Sequence, residues 1–156
     1  MSDMVKKASE QVHKILDDAV ESLVSQGKLP KGDLPAYTVE IPADKTHGDF
    51  AANIAMVSAR TFHMAPRAIA QLLCDGVSLS GSYFDRCEVA GPGFLNFFVG
   101  QSWFTDSVLT VLREEENYGK SDLGMGKKVM VEFVSANPTG PMHMGNARGG
   151  VLGDTL

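Results

Sequence analysis

The chain has 156 residues, of which 44% are hydrophobic and 21% charged, which is enough apolar material for one ordinary core and too much for a disordered segment. Its formal net charge of −5 excludes a broad phosphate-tracking surface, which needs clustered Lys and Arg, so any nucleic-acid contact must be local. No run of about 18 apolar residues is present to span a bilayer, and the first residues form a polar helical pattern rather than a signal peptide, so a cytoplasmic protein is expected.

Met4, Val5, Ala8, Val12, Ile15, Leu16, Ala19, Val20, Leu23 and Val24 recur at spacings of three and four, with Lys, Glu, Gln and Asp on the other face. This predicts a long amphipathic helix. Gly27 can close it in a left-handed conformation, and Lys28 to Pro35, which includes Gly32, cannot extend it. Tyr37 to Ile41 reads as a strand and Ala43 to Gly48 as a loop, and Asp49 is a plausible N-cap for an Ala-rich helix from Phe50 to about Phe62. Pro66 suits the first turn of a further helix, with Ile69, Ala70, Leu72 and Leu73 as its buried stripe and Gly76 as its stop. Cys74 and Cys87 lack the paired spacing of a zinc site and read as reduced, mostly core thiols.

After a loop from Val77 to Ser82, Asp85 to Ala90 and Phe94 to Val99 read as two strands joined by Gly91-Pro92-Gly93. In the second strand Leu95, Phe97 and Val99 share one face, and Phe94, Asn96 and Phe98 share the other. Trp103 to about Glu116 is helical, with Phe104, Val108, Val111 and Leu112 as its expected buried side. Asn117 to Gly126 has the composition of a linker. Lys127 to Val134 then reads as a strand covered on both faces, Ser135 to Met144 as a loop, and Gly145 to Leu156 as a helix. That order opens a nucleotide-binding α/β unit.

Several chemistries are absent from the pattern. Gly119-Lys120-Ser121 lacks the earlier glycine of a P-loop, and there is no Gly-x-Ser-x-Gly elbow, His-Glu-x-x-His or paired cysteine motif. The stretch that carries chemistry is Ser135-Ala136-Asn137-Pro138-Thr139-Gly140-Pro141-Met142-His143-Met144-Gly145-Asn146, continuing to Gly150. Backbone N–H groups at a helix start attract phosphate. An imidazole just before that helix, at His143, can donate to a phosphate oxygen and stabilise developing charge. Gly145 lets adenine lie against the backbone, and Gly149 and Gly150, costly by roughly 1 kcal/mol each inside a helix, point to a close approach by a ligand or another helix.

This stretch resembles the segment around the HIGH signature of class I aminoacyl-tRNA synthetases, in the arginine-specific form that Ser135 to Pro141 precedes. A second resemblance covers Thr46-His47-Gly48-Asp49-Phe50-Ala51-Ala52-Asn53-Ile54-Ala55, Ala65 to Ala70 and Ala90 to Asn96, which look like blocks of the amino-terminal additional domain of arginyl-tRNA synthetases. The resemblance implies an α+β domain over 1–116, which packs helices on a small antiparallel sheet and, as a domain, touches the outer corner of tRNA where the D-loop lies. A linker at 117–126 and an incomplete Rossmann-type α/β catalytic start at 127–156 would follow.

The resemblance also implies an arginine–tRNA ligase. It would take L-arginine, ATP (with Mg2+ accompanying it) and tRNA(Arg), carry no protein-bound metal, and be monomeric at full length. His143 and Asn146 would be catalytic, and Ser135 to Asn146 would line the ATP and arginine site. Asn146 departs from the usual second histidine: its amide can bind but cannot carry positive charge. The remaining catalytic strands, the Lys-Met-Ser-Lys-Ser loop and the anticodon-binding helices of that family lie outside these residues, so the piece is expected to bind tRNA without catalysis. A rival reading is a freestanding RNA-binding module that uses its last residues only as a tail.

Phe94, Asn96 and Phe98 would suit a flipped-out base, with rings for stacking and an amide for edge recognition. The aromatic pair would equally suit a core. Asn53 and Asp49 fit RNA contact, a helix cap or a buried amide alike. Lys45, His47, Arg60 and Arg67 could add local positive charge, although scattered basic residues are usually just solvated.

Overall fold

A computed structural model describes residues 3–120, 122, 124–137 and 139–155. The chain divides into two compact units, Met1–Tyr118 and Gly119–Leu156.

The first unit opens with helix α1 (Asp3–Ser25). It buries Ala8, Val12, Leu16 and Leu23, the apolar stripe that the helical spacing predicts. Gly27, at φ +69°, turns the chain away in the left-handed region. Four strands follow: β1 (Val39–Glu40), β2 (Phe50–Ala52), β3 (Phe84–Ala90) and β4 (Phe94–Val99). They form one antiparallel sheet in the order β1-β2-β4-β3. Helix α4 (Pro66–Gly76) contributes Ile69, Ala70 and Leu73 to the core, where Phe50, Phe84 and Phe97 meet edge to face. The hairpin turn docks on the start of α4: a Cβ at Gly93 would lie 3.0 Å from Pro66, and Arg67 donates to the Gly91 carbonyl at 3.0 Å.

Two expectations fail in the middle of this unit. The strand expected over Tyr37–Ile41 is only Val39–Glu40, and the single helix from Phe50 is instead β2 followed by two short helices, α2 (Ile54–Val57) and α3 (Ala59–Phe62). Asp49 caps nothing. Its backbone donates to Phe97 O and its carboxylate accepts from Val99 N, both at 2.9 Å, so it staples β2 onto β4. Asn53 occupies the helix start without a capping bond and accepts from Thr38 N at 2.9 Å instead. Alanine's high helix propensity misleads here, because tertiary pairing overrides it. Ser58 then breaks the helix by bonding back to the Ile54 carbonyl at 2.6 Å.

Helix α5 (Gln101–Glu114) is present, but with the opposite face inward. Thr110 is its buried residue, and Asp106 accepts from the Tyr83 hydroxyl. Phe104, Val108, Val111 and Leu112, expected to be buried, are exposed by 40–65%. Leu112→Glu should therefore shift stability by less than about 0.5 kcal/mol in urea unfolding, as surface substitutions do. A loss of roughly 2 kcal/mol or more would show a covered stripe.

Cys74 on α4 and Cys87 on β3 are free thiols, with the Cys74 thiol donating to Cys87 O at 3.2 Å. Burial pushes both thiols above the ordinary cysteine range, Cys87 further. The thiolate is the nucleophile, so a raised pKa means less of it at pH 8. Both should alkylate with iodoacetamide far more slowly in the folded than in the urea-unfolded chain, Cys87 slowest, as followed by mass spectrometry. Equal rates would contradict this packing.

In the second unit, helix α6 spans Met144–Thr155. The expected strand at Lys127–Val134 does not form among the described residues. Val129 and Met130 are exposed there, as an apolar run without strand partners must be. Gly150 and Gly153 of α6 instead receive this extended run: a Cβ at Gly153 would overlap the Phe133 ring, and one at Gly150 would lie 3.3 Å from Val134. Gly149 has open space around it. No helix is long and apolar enough to cross a membrane among the described residues.

Candidate functional site

Alternation along β4 sends Leu95 and Phe97 into the core, both fully buried. Asn96, between them, points to the opposite face of the sheet. Pairing sets Ala51 of β2 and Glu88 of β3 on either side of it. This outer face is not flat. Pro42, His47, Gly91, Pro92 and Phe94 raise walls around Asn96 and enclose a cleft of about 290 Å³. Asn96 is consequently only 4% exposed, and its Oδ1 is buried with no hydrogen-bond partner among the described residues. An orphan acceptor of this kind costs about 1–3 kcal/mol, which a ligand bearing an N–H or O–H would recover.

The wall that carries His47 is held by its own chemistry. Asp44 caps the 3-10 turn Lys45–His47. Hydrogen bonds from the Thr46 backbone and hydroxyl hold its carboxyl below the usual carboxylate range. Gly48, at φ +84°, follows directly, and a Cβ there would stand 2.8 Å from the Phe97 carbonyl oxygen. The loop therefore lies on β4 only because residue 48 has no side chain.

One further residue of this face, Arg86, is concealed by the sequence. Phe84 pairs with Val99 and Arg86 with Phe98, a register shift that leaves Asp85 as the extra residue of a β-bulge. The bulge turns Arg86 to the outer face. There its guanidinium lies 3.8 Å over the Phe98 ring, and Glu88 takes its Nε at 3.0 Å. No residue pattern announces a bulge, so the alternation in the sequence gives no signal for it.

In the second unit, His143 precedes α6 and caps it. Its Nδ1 accepts from Gly145 N at 3.1 Å, its carbonyl accepts from Asn146 N at 2.9 Å, and Asn146 Oδ1 accepts from His143 N at 3.1 Å. This is the reciprocal logic of a capping box. In a neutral imidazole one nitrogen donates and the other accepts, so a committed Nδ1 places the proton on Nε2. A Cβ at Gly145 would stand 2.9 Å from His143 Cε1, so the ring would have to shift to admit one. His143, Asn146 and Met142 line both of two adjoining clefts, of about 500 and 270 Å³. Ala136, Asn137, Thr139, Gly140 and Pro141 line the smaller, and Met144 the larger. The Ser135 hydroxyl donates to Glu132. Pro138 lies outside the described residues.

The profile of the family described as "Arginyl tRNA synthetase N terminal domain" matches residues 10–99. The chain belongs to the arginyl-tRNA synthetase N-terminal domain family. It is 47% identical over its whole length to the arginine–tRNA ligase of Acetivibrio thermocellus, of which it covers 28%. It is 51% identical over 83% of its length to that of Desulfitobacterium hafniense, of which it covers 23%. The chain thus spans about a quarter of the length of these curated relatives. The crystal structure of the Plasmodium falciparum arginyl-tRNA synthetase shares the fold, with a TM-score of 0.54 at 16% identity over 96% of this chain and 27% of that one.

The stretch matched to the arginyl-tRNA synthetase domain ends at Val99, so it contains the whole outer face of the sheet. Of the residues the sequence singles out on that face, the structure brings Phe94 and Asn96 together in the cleft. Phe94 and Phe98 are half-buried and stand outside the core cluster. Arg86 covers Phe98, and Asn53 is engaged with Thr38, outside the cleft lining.

Proposed function

We propose that this chain is the front of an arginine–tRNA ligase, whose first unit holds an unpaired nucleotide at the outer corner of tRNA(Arg) and whose second unit begins the site for ATP and arginine. The observation that carries the RNA reading is the partnerless Asn96 carbonyl at the floor of a ring-walled cleft. Such a cleft suits a splayed base, stacked on Phe94 and read at its edge by the amide.

At the second unit, His143 Nε2–H and the first turn of α6 would meet the phosphates of ATP. The arginine carboxylate would attack the α-phosphorus, giving arginyl-adenylate and pyrophosphate, and the terminal ribose of tRNA would then take the arginyl group. His143 donates to charge that builds on the phosphate oxygens. Asn146, whose Oδ1 accepts from the His143 backbone N–H, holds the backbone that carries that imidazole. Mg2+ would accompany ATP as part of that substrate and would shield its phosphates. The reaction belongs to the cytoplasm in this reading.

The 156 residues alone bind tRNA and do not catalyse, because no strand forms among the described residues of the second unit. Filter binding should show the chain retaining tRNA(Arg) over a non-cognate tRNA. A longer ligase with these residues at its front should exchange pyrophosphate with arginine when tRNA(Arg) is present, and this chain should not. Preferential activation of another amino acid by the longer protein would overturn the arginine assignment.

A further inference from the structure

We infer that Arg86 is a second RNA-binding residue, whose guanidinium, backed by the Phe98 ring, stacks a nucleotide next to the one in the Asn96 cleft. The inference rests on the proposal that the outer face binds tRNA, and it names what the rest of that face takes.

Three observations carry it. The bulge at Asp85 places Arg86 beside Phe98; regular alternation would send it to the core face with Phe84, and bulges commonly re-aim a side chain next to a site. The guanidinium rests 3.8 Å over the ring and is anchored through Nε by Glu88 at 3.0 Å. It is thus a planar cation held in place. Phe98 and Asn96 are two residues apart on one face of β4, a separation of about 7 Å. That is roughly twice the 3.4 Å rise per nucleotide of a stacked strand, so two neighbouring nucleotides fit when they are unstacked and splayed.

The ligand class follows from charge. Glu40 at the cleft, Glu88 beside Arg86 and the net charge of −5 make this face a poor clamp for phosphate. Bases can be held there by stacking, on an arginine plane as on an aromatic ring. Arg86 also takes from Phe98 the role of open platform that the sequence offers it: the surface presented is the guanidinium, and the ring supports it.

Fluorescence anisotropy with an unmodified tRNA(Arg) transcript tests this, using the whole chain with Arg86→Ala, Arg86→Lys, Phe98→Leu, Arg86→Ala/Phe98→Leu and Asn96→Ala, each first shown by thermal melting to fold. Arg86→Ala should weaken binding about tenfold, within the range for losing one stacked base. Arg86→Lys, which keeps the charge and loses the plane, should recover the salt dependence but little of the affinity. Phe98→Leu should weaken binding, and the double variant should be no weaker than Arg86→Ala, since ring and guanidinium act as one unit. Lysine binding as tightly as arginine would overturn the stacking role, leaving a point-charge contact. Asn96→Ala weakening binding while Arg86→Ala does not would overturn the Arg86 inference and leave the cleft intact. No effect from either would remove the RNA reading of this face altogether.

Discussion

Gly48→Ala should destabilise the first unit by about 2–6 kcal/mol and remove most of its RNA affinity. Two costs add at this position. Gly48 has φ +84° and ψ −168°, a region open almost only to glycine, worth about 1–3 kcal/mol against any L side chain. The new methyl would also stand 2.8 Å from the Phe97 carbonyl oxygen, a backbone atom of the central strand β4 that cannot give way, and overpacking of this kind costs about 1–3 kcal/mol more. The chain would relieve the contact by lifting the loop that carries Pro42 and His47, which is one wall of the cleft. Gly27→Ala is the control, since Gly27 has φ +69° and nothing within 4 Å of the added carbon. It should lose only the left-handed penalty of about 1–2 kcal/mol and keep its RNA affinity. Urea unfolding and tRNA anisotropy on both variants read the difference. Equal losses in the two would mean that the loop is not wedged against β4.

Asn96→Leu should move stability and binding in opposite directions. Leucine has nearly the shape of asparagine and no acceptor to leave unpaired, so the variant should be about 1 kcal/mol more stable than the parent in urea. Its affinity for tRNA(Arg) should fall about tenfold or more, because a base edge that meets the amide would meet a methyl group instead. A site that stores an unmet hydrogen bond behaves this way, since stability is given up where function needs a polar group. Loss of stability in Asn96→Leu would mark Asn96 as an ordinary structural amide.

Much of the first unit was legible because its periodicities are long or its punctuation is strong. The helix α1, the Pro66 start and Gly76 end of α4, and the hairpin around Gly91-Pro92-Gly93 all read directly from residue order. So did the placement of Asn96 opposite Leu95 and Phe97, since alternation in a strand leaves no other choice. What the sequence hides is set by partners far along the chain. Phe50-Ala51-Ala52 is a strand because β1 and β4 flank it, against alanine's own preference. The face of α5 that turns inward is the polar one because Tyr83 and Met4 meet Asp106 and Thr110 there. Arg86 is hidden in the sequence because a one-residue bulge reverses the face of everything on one side of it. At the other site, the residues His143, Gly145 and Asn146 were identifiable by resemblance, whereas their joint work as a helix cap is visible only in the geometry.

The central claim is that the outer face of the sheet, around Asn96, is where this chain meets RNA. Amide and side-chain chemical-shift mapping of the 156-residue chain titrated with a tRNA(Arg) transcript tests it most directly. The largest shifts should fall on the Asn96 side-chain amide, Ala51, Phe94, His47 and Glu88, with the exposed face of α1 unmoved. Shifts concentrated on α1 or on the apolar stripe of α5, with the Asn96 amide unchanged, would contradict the account.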